Sequence, residues 1–289
     1  MIAIKNMCKR NMLMFFRRKA NIILAVSMAL IPASFLLLLG GVWQIPMIEY
    51  YVGGIENAWS ILRVNAFAVT LFMVALIVPF TVMSIMSEDY DSKALSNFLT
   101  SPLKRSQISL SYILSSILVG MLLIIITMIV GQILLLICGD GFIGISIVIE
   151  LFSLSLFVIT SLSSVYFYIQ SFIKTTSASK GANGLFSGIS PQLAGIYFPL
   201  IMLPATIVSV IHFLPISHAA RLYREVLLLP TMKKYIDIAA LEEISESFGI
   251  KMYMFENNVS MLSSLLVLLI YLLVFGFLSL KRLYKLKQK

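Results

Sequence analysis

Six uncharged stretches divide this chain, and they restrict its fold more than any other feature. They run from Ala20 to Ile48, Val64 to Ser87, Ser106 to Gly139, Leu151 to Ile173, Gly181 to Ala220 and Asn257 to Leu280. Each is at least as long as the ~20 apolar residues that carry a helix across ~30 Å of hydrocarbon. A backbone in lipid must satisfy its own hydrogen bonds, so these stretches are expected to be helices. Charged residues are 12% of the 289, about half the share in a soluble domain. The expected class is an all-α integral membrane protein with six transmembrane helices. The first run is too long for a cleaved signal peptide and lacks a small-residue cleavage site.

Lys and Arg set the expected orientation. Lys5, Lys9, Arg10, Arg17, Arg18 and Lys19 precede the first span and belong in the cytoplasm. Six crossings return the C-terminus, with Lys281, Arg282, Lys285, Lys287 and Lys289, to the same side. The expected inner segments then hold 16 Lys plus Arg against 3 Asp plus Glu, and the outer segments 6 against 9. The net charge of +9 thus reflects topology and anionic lipid rather than nucleic acid. The long run from Gly181 to Ala220 contains Pro191, Pro199, Pro204 and Pro215. It reads as one span to about Leu203, then a proline-broken segment that enters the outer leaflet and turns back.

The whole chain, 1–289, is expected to form one transmembrane domain. Residues 1–19 read as a cytoplasmic amphipathic segment with Met7, Met14 and Phe15 among its cations. Trp43 to Arg63 reads as a short outer loop, and CGDGFIG as a tight hairpin. Residues 204–256 form the re-entrant and extracellular segment. There Ile236, Ala240, Ile244 and Phe248 recur every fourth residue and give one apolar stripe. Cys8 and Cys138 fall at opposite ends of the spans, so neither a disulfide nor a metal set is expected.

The polar stretch 88–105, SEDYDSKALSNFLTSPLKR with its preceding serine, separates the second and third spans. Leu95, Phe98, Leu99 and Leu103 fall on one face of a short helix, and Ser92, Lys93, Ser96, Asn97 and Thr100 elsewhere. Glu88, Asp89 and Asp91 are expected at its N-terminal end, where the helix dipole favours acids. Ser101-Pro102 reads as a stop and restart, with Ser as a cap and Pro in the first turn of the next helix. Three acids balance three bases, which suits a protein groove around an exposed Phe-Leu pair better than anionic lipid.

Acidic residues, then LSNFLTSPLKR, then a long apolar run resemble the ABC-2 family of ABC transporter permeases. In that family the loop between spans two and three is the coupling helix. Ser101, Pro102 and Arg105 match its usual form, while Lys93 occupies the usual glycine position. A second stretch, GISPQLAGIYFPLIMLPATIVSVIHFLPISHAARLYREVLL, resembles the family's fifth span and outer segment, with Arg224 nine residues after Pro215. The resemblance implies that Asp91, Lys93, Leu95, Asn97, Phe98, Leu99, Ser101, Pro102 and Arg105 contact an ATPase. It places Pro191, Pro199, Pro204, Pro215 and Arg224 at a path or outer gate.

No G-x-x-x-x-G-K-[ST] occurs, so the chain is expected to bind no ATP and to be no enzyme by itself. ATP and Mg would be held by a separate cytoplasmic ATPase, in two copies, beside a second permease copy. Gly181, Gly184 and Gly188 form a small-residue face, read equally as packing within the chain or as a dimer contact. The implied function is outward transport of a drug, antimicrobial peptide or lipid across the plasma membrane. Two other classes are weighed. An ion-coupled carrier, of half-size inverted-repeat type, needs ionisable groups at depth, and the chain has almost none there; Glu150, near one end of a span, is the first to consider. An intramembrane hydrolase would need Ser190 within reach of His212 or His218.

Overall fold

The computed structural model describes residues 2–197, 200, 203–254 and 257–285. The helices are α1 (Ile2–Arg17), α2 (Lys19–Val52), α3 (Ile55–Asp91), α4 (Ala94–Thr100), α5 (Arg105–Ile137) and α6 (Ile145–Gln170). They continue with α7 (Thr176–Leu193), α8 (Ala205–His212), α9 (Pro215–Tyr235), α10 (Ile238–Ser247) and α11 (Met261–Lys285). Between α10 and α11, a two-residue antiparallel ladder pairs Tyr253 with Asn258 and Met254 with Asn257. Among the described residues, α3, α5, α6 and α11 are long and apolar enough to cross a membrane, and the two halves of α2 together make a fifth candidate. This is an all-α protein of multi-pass membrane type.

Helix α3 is the central column. Its residues from Ala58 to Ser87 are apolar or small almost without interruption, and a helix apolar all round has no face to give to water. It packs against α1, α2, α4, α5, α6, α7 and α9, which leaves the outer helices to carry the exposed apolar surface. Lipid is as apolar as leucine, so close packing and hydroxyl bonds hold the bundle together. Ser87 donates to Gln170 Oε1 at 2.7 Å, Ser116 to Ser163 Oγ at 2.8 Å, and Ser161 to the Leu268 carbonyl at 2.7 Å. Such bonds contribute about 0.6 kcal/mol each.

Several expectations need correction. Trp43 to Arg63 is not a loop: α2 and α3 run to a turn at Gly53-Gly54, where Gly53 has φ 67°. Helix α2 bends by 66° between Leu30–Val42 and Gln44–Val52. Pro46 cannot donate to the Val42 carbonyl, and its ring crowds that carbonyl. The expected fifth span, about Gly181 to Leu203, is not one helix. Helix α7 starts at Thr176, ends at Leu193, and turns at Gly195 with φ 63°. It is not among the helices long and apolar enough to cross.

The 204–256 segment keeps its stripe although its second helix is broken. Tyr235 ends α9, α10 starts at Ile238, and Ile236, Ile244 and Phe248 are still buried, with Ala240 packed beside them. Helix α9 lies against α3, α6 and α11. The segment Ile2–Arg17 is amphipathic as expected, but Met7, Cys8, Asn11 and Phe15 are buried. Its inner face is therefore covered by protein, mainly α5.

Gly131 shows how tightly α5 meets the column. A Cβ there would lie 2.1 Å from Cε2 of Phe67. We predict that Gly131→Val lowers stability by about 1–3 kcal/mol. Gly276→Val, where a Cβ meets nothing within 4 Å, should leave the midpoint of denaturant unfolding in detergent unchanged.

Candidate functional site

The turn from α3 into α5 gathers the largest share of the sequence candidates. Helix α3 closes with the Ser92 N–H on the Glu88 carbonyl and Ser92 Oγ on the same carbonyl at 2.8 Å. Lys93 then takes φ 62°, ψ 6°, the one left-handed non-glycine residue among those described. A left-handed residue just past a helix end is usually glycine. The slot that the ABC-2 pattern fills with glycine therefore has a glycine-type backbone here. Helix α4 follows with Leu95 buried and Phe98, Leu99 and Leu103 partly buried against the core. The expected exposed Phe-Leu pair is thus half covered. The solvent-side face of α4 is Ser96, Asn97 and Thr100, flanked by Lys93, Pro102 and Lys104.

The stop and restart differs from the expectation. Ser101 Oγ donates backward to the Phe98 carbonyl at 2.6 Å, closing α4. Ser101 itself is extended, as a residue before proline must be. The next helix begins at Arg105, not at Pro102. Its start is held by the Lys104 N–H donating to Gln107 Oε1 at 3.0 Å.

Glu88, Asp89 and Asp91 do not lie at the N-terminus of α4. They form the last turn of α3, where the helix dipole disfavours acids, and each has its own partner. Glu88 pairs with Arg18. Asp91 Oδ2 accepts the Thr176 N–H at 3.0 Å, at the first residue of α7. Asp89 is fully buried. Arg10 of α1 grips both its oxygens, with Nη1 to Oδ2 at 2.6 Å, and the Tyr112 hydroxyl of α5 donates to Oδ2 as well. The hydrogen bonds to Asp89 push Arg10 above its usual guanidinium value. Its guanidinium also lies 5.1 Å from the Phe98 ring centroid, a cation–π contact. Arg10 and Tyr112 were missed in the sequence: they lie 79 and 23 residues from Asp89, beyond the reach of local periodicity.

On α7, Ser179, Asn183 and Ser187 form the buried face, with Asn183 donating to Thr81 Oγ1 at 3.1 Å. A Cβ on Gly181, Gly184 or Gly188 would meet nothing within 4 Å. Among the described residues, the glycine face is therefore not packed within the chain.

Of the path or gate candidates, Arg224 lines a cavity of about 380 Å³, together with Ala194, His212 and Gly249, and none of the prolines does. Pro191 is buried in the last turn of α7, Pro204 precedes α8, and Pro215 opens α9. Pro199 lies outside the described residues. Buried Arg224 donates to the carbonyls of Ala194 and Gly195 at 3.0 and 3.2 Å, so it caps the end of α7. Nearby, Arg221 binds the carbonyls of Ile250 and Ser260 and the Ser264 hydroxyl. His218 pairs with Ser264 Oγ at 3.1 Å and the His212 carbonyl at 2.7 Å, and His212 with the Tyr253 carbonyl. Burial, with Arg221 nearby, lowers His218 to about 4 and lowers His212 as well. Ser190 donates to the Phe186 carbonyl, while His212 and His218 bond to other groups. Glu150 is exposed on α6. Among the described residues, no group of three His, Cys, Asp or Glu could hold a metal.

No family model matches the chain, and a search of curated proteins finds no match.

Two outcomes are expected. Lys93→Gly should be neutral or stabilising, because it removes a left-handed side chain that costs about 1–2 kcal/mol. Lys93→Val should lower stability by at least about 1 kcal/mol, read as the unfolding midpoint. Separately, a neutral buried His218 favours the fold above the unfolded value near 6.5. That contribution falls as pH drops from about 6.5 to about 4. The melting temperature should decline through this window, and His218→Gln should flatten part of the decline.

Proposed function

We propose that this chain is the membrane-spanning subunit of an ATP-driven exporter of the ABC-2 permease type. In this reading α2, α3, α5, α6, α7 with the chain beyond it, and α11 make six crossings, with both termini in the cytoplasm. Helix α4 is the coupling helix. The observation that carries the reading is the setting of α4. It is a short helix with a polar outer face, entered through a left-handed residue, packed on α3 and held to α1 by the Arg10 guanidinium over Phe98. That guanidinium is itself bonded to Asp89, which Tyr112 of α5 also holds. A loop that merely joined two spans would need none of these ties.

A separate cytoplasmic ATPase, in two copies, would press on Ser96, Asn97 and Thr100 and supply ATP and Mg. The stiff link through Arg10 and Asp89 would carry the push into α3, and the Asp91–Thr176 bond would carry it into α7. The unpacked glycine face of α7 suits a second permease copy, since glycines let helices approach closely. The transported molecule would be hydrophobic or amphipathic, a drug, antimicrobial peptide or lipid, moved outward across the plasma membrane.

The test is co-purification in mild detergent of tagged wild type and the double variant Ser96→Arg/Thr100→Arg. Both sites are exposed, so the variant should fold as wild type does. Wild type should bring down a Walker-motif ATPase and the variant about tenfold less, a loss of about 1.4 kcal/mol. If no such ATPase accompanies wild type, the permease reading fails.

A further inference from the structure

At the end of the bundle away from α4, helices α2, α3 and α5 leave a groove of about 470 Å³. Helix α3 forms its floor through Phe67 and Val74, and Leu30 and Val130, each half exposed, form its rims. It extends along α3 from Arg63 to Val78, about 22 Å at 1.5 Å per residue. That is more than half of the ~30 Å hydrocarbon thickness. Its two threonines present no free hydroxyl proton. Thr70 donates to the Ala66 carbonyl and Thr127 to the Leu123 carbonyl, both at 2.8 Å. Ser34 of α2, exposed, adds the one further hydroxyl to a lining that is otherwise almost wholly hydrocarbon and offers little to hold water.

The charged end is different. Arg63 Nε and Nη2 donate to Asp140 Oδ2 and Oδ1 at 2.6 and 2.7 Å. The pair sets a half-buried cation beside a nearly buried anion, and Glu56 is a second acid near Arg63, so this end carries no excess positive charge.

We propose that this groove holds one acyl chain of a phospholipid whose head group rests on the Arg63–Asp140 pair. The length and apolar lining select a hydrocarbon chain. The neutral pair selects a zwitterionic head, with phosphate toward Arg63 and ammonium toward Asp140. An anionic head would bring uncompensated charge beside the Asp140 carboxylate. The assignment does not depend on the coupling reading, since it concerns the opposite end of the bundle.

Cys138 lines the same groove and is exposed, whereas Cys8 is buried, so maleimide labelling reports on the charged end. Delipidated protein in detergent would be labelled with and without added phosphatidylcholine. Wild type should be compared with Leu30→Trp and Val130→Trp, which fill the groove, and with Leu273→Trp on an exposed face of α11. Saturating lipid should slow labelling about fivefold or more in wild type and Leu273→Trp, but less than about twofold in the two groove variants. Native mass spectrometry should find one phospholipid retained per chain in the first pair and none in the second. Labelling of wild type that is indifferent to lipid overturns the proposal, even if both groove variants misfold. Lipid retention unchanged in folded groove variants overturns it too. Equal protection by phosphatidylglycerol overturns the head-group assignment.

Discussion

A carboxylate buried at the end of the central helix is the constraint around which the α4 end of this bundle is organised. Leaving Asp89 charged and unpaired away from water would cost several kcal/mol, and the dipole at the end of α3 adds to that cost rather than relieving it. The answer is a charge-assisted bidentate bond from Arg10, supplemented by the Tyr112 hydroxyl. Because the three groups come from α3, α1 and α5, satisfying one charge fixes three helices relative to one another. It also fixes where the Arg10 guanidinium lies, and so where Phe98 and α4 rest. Breaking such a pair by removing one partner is usually far more damaging than replacing both.

The opposite end solves the same problem with different groups. Arg221 and Arg224 are both buried, and neither relies on one carboxylate alone. They spread their donors over backbone carbonyls at the ends of α7 and ahead of α11. The Ser260 carbonyl also accepts the Ser264 N–H, whereas for Ala194, Gly195 and Ile250 the arginines satisfy acceptors left over at chain turns and helix ends. Neutral His218 joins this network as a fitted polar group rather than as a charge. Between the two ends α3 is almost wholly apolar and relies on packing, with glycines such as Gly131 wherever a ring must pass.

Much of this was legible in the chain, for identifiable reasons. Apolar length marked the long helices because lipid admits few alternatives. The spacing of Ile236, Ala240, Ile244 and Phe248 marked an inward face even though the helix breaks beside it. What periodicity cannot show is which distant group answers a charge. Asp89 was therefore read as a charge favouring the start of the following helix, when its partners lie on α1 and α5. The same blindness made Ser101 a cap for α5, although its hydroxyl closes α4 and Gln107 holds the next start. The early end of α7 was hidden because an uncharged sequence with prolines fits a bent span and a turn equally well. Lys93 is the reverse case: its residue type conceals a left-handed backbone of the kind glycine usually adopts.

These ties bear on how a force at α4 would travel. A seven-residue helix is too short to be stable alone, so its position is dictated by what it rests on. Leu95 and Leu99 seat it on the core, and Phe98 lies beneath Arg10, whose other side is bonded to Asp89. A displacement of α4 must therefore move the Arg10–Asp89 unit or break it. Breaking is the costlier course, because it strands a buried carboxylate. The less costly course moves α1 and the end of α3 together, and the Asp91–Thr176 bond then draws the start of α7 with them. Helix α7 is held on one face by serine and asparagine contacts and is unpacked on the other. Among the described helices beside α3, it is the one with open glycine surface into which to shift.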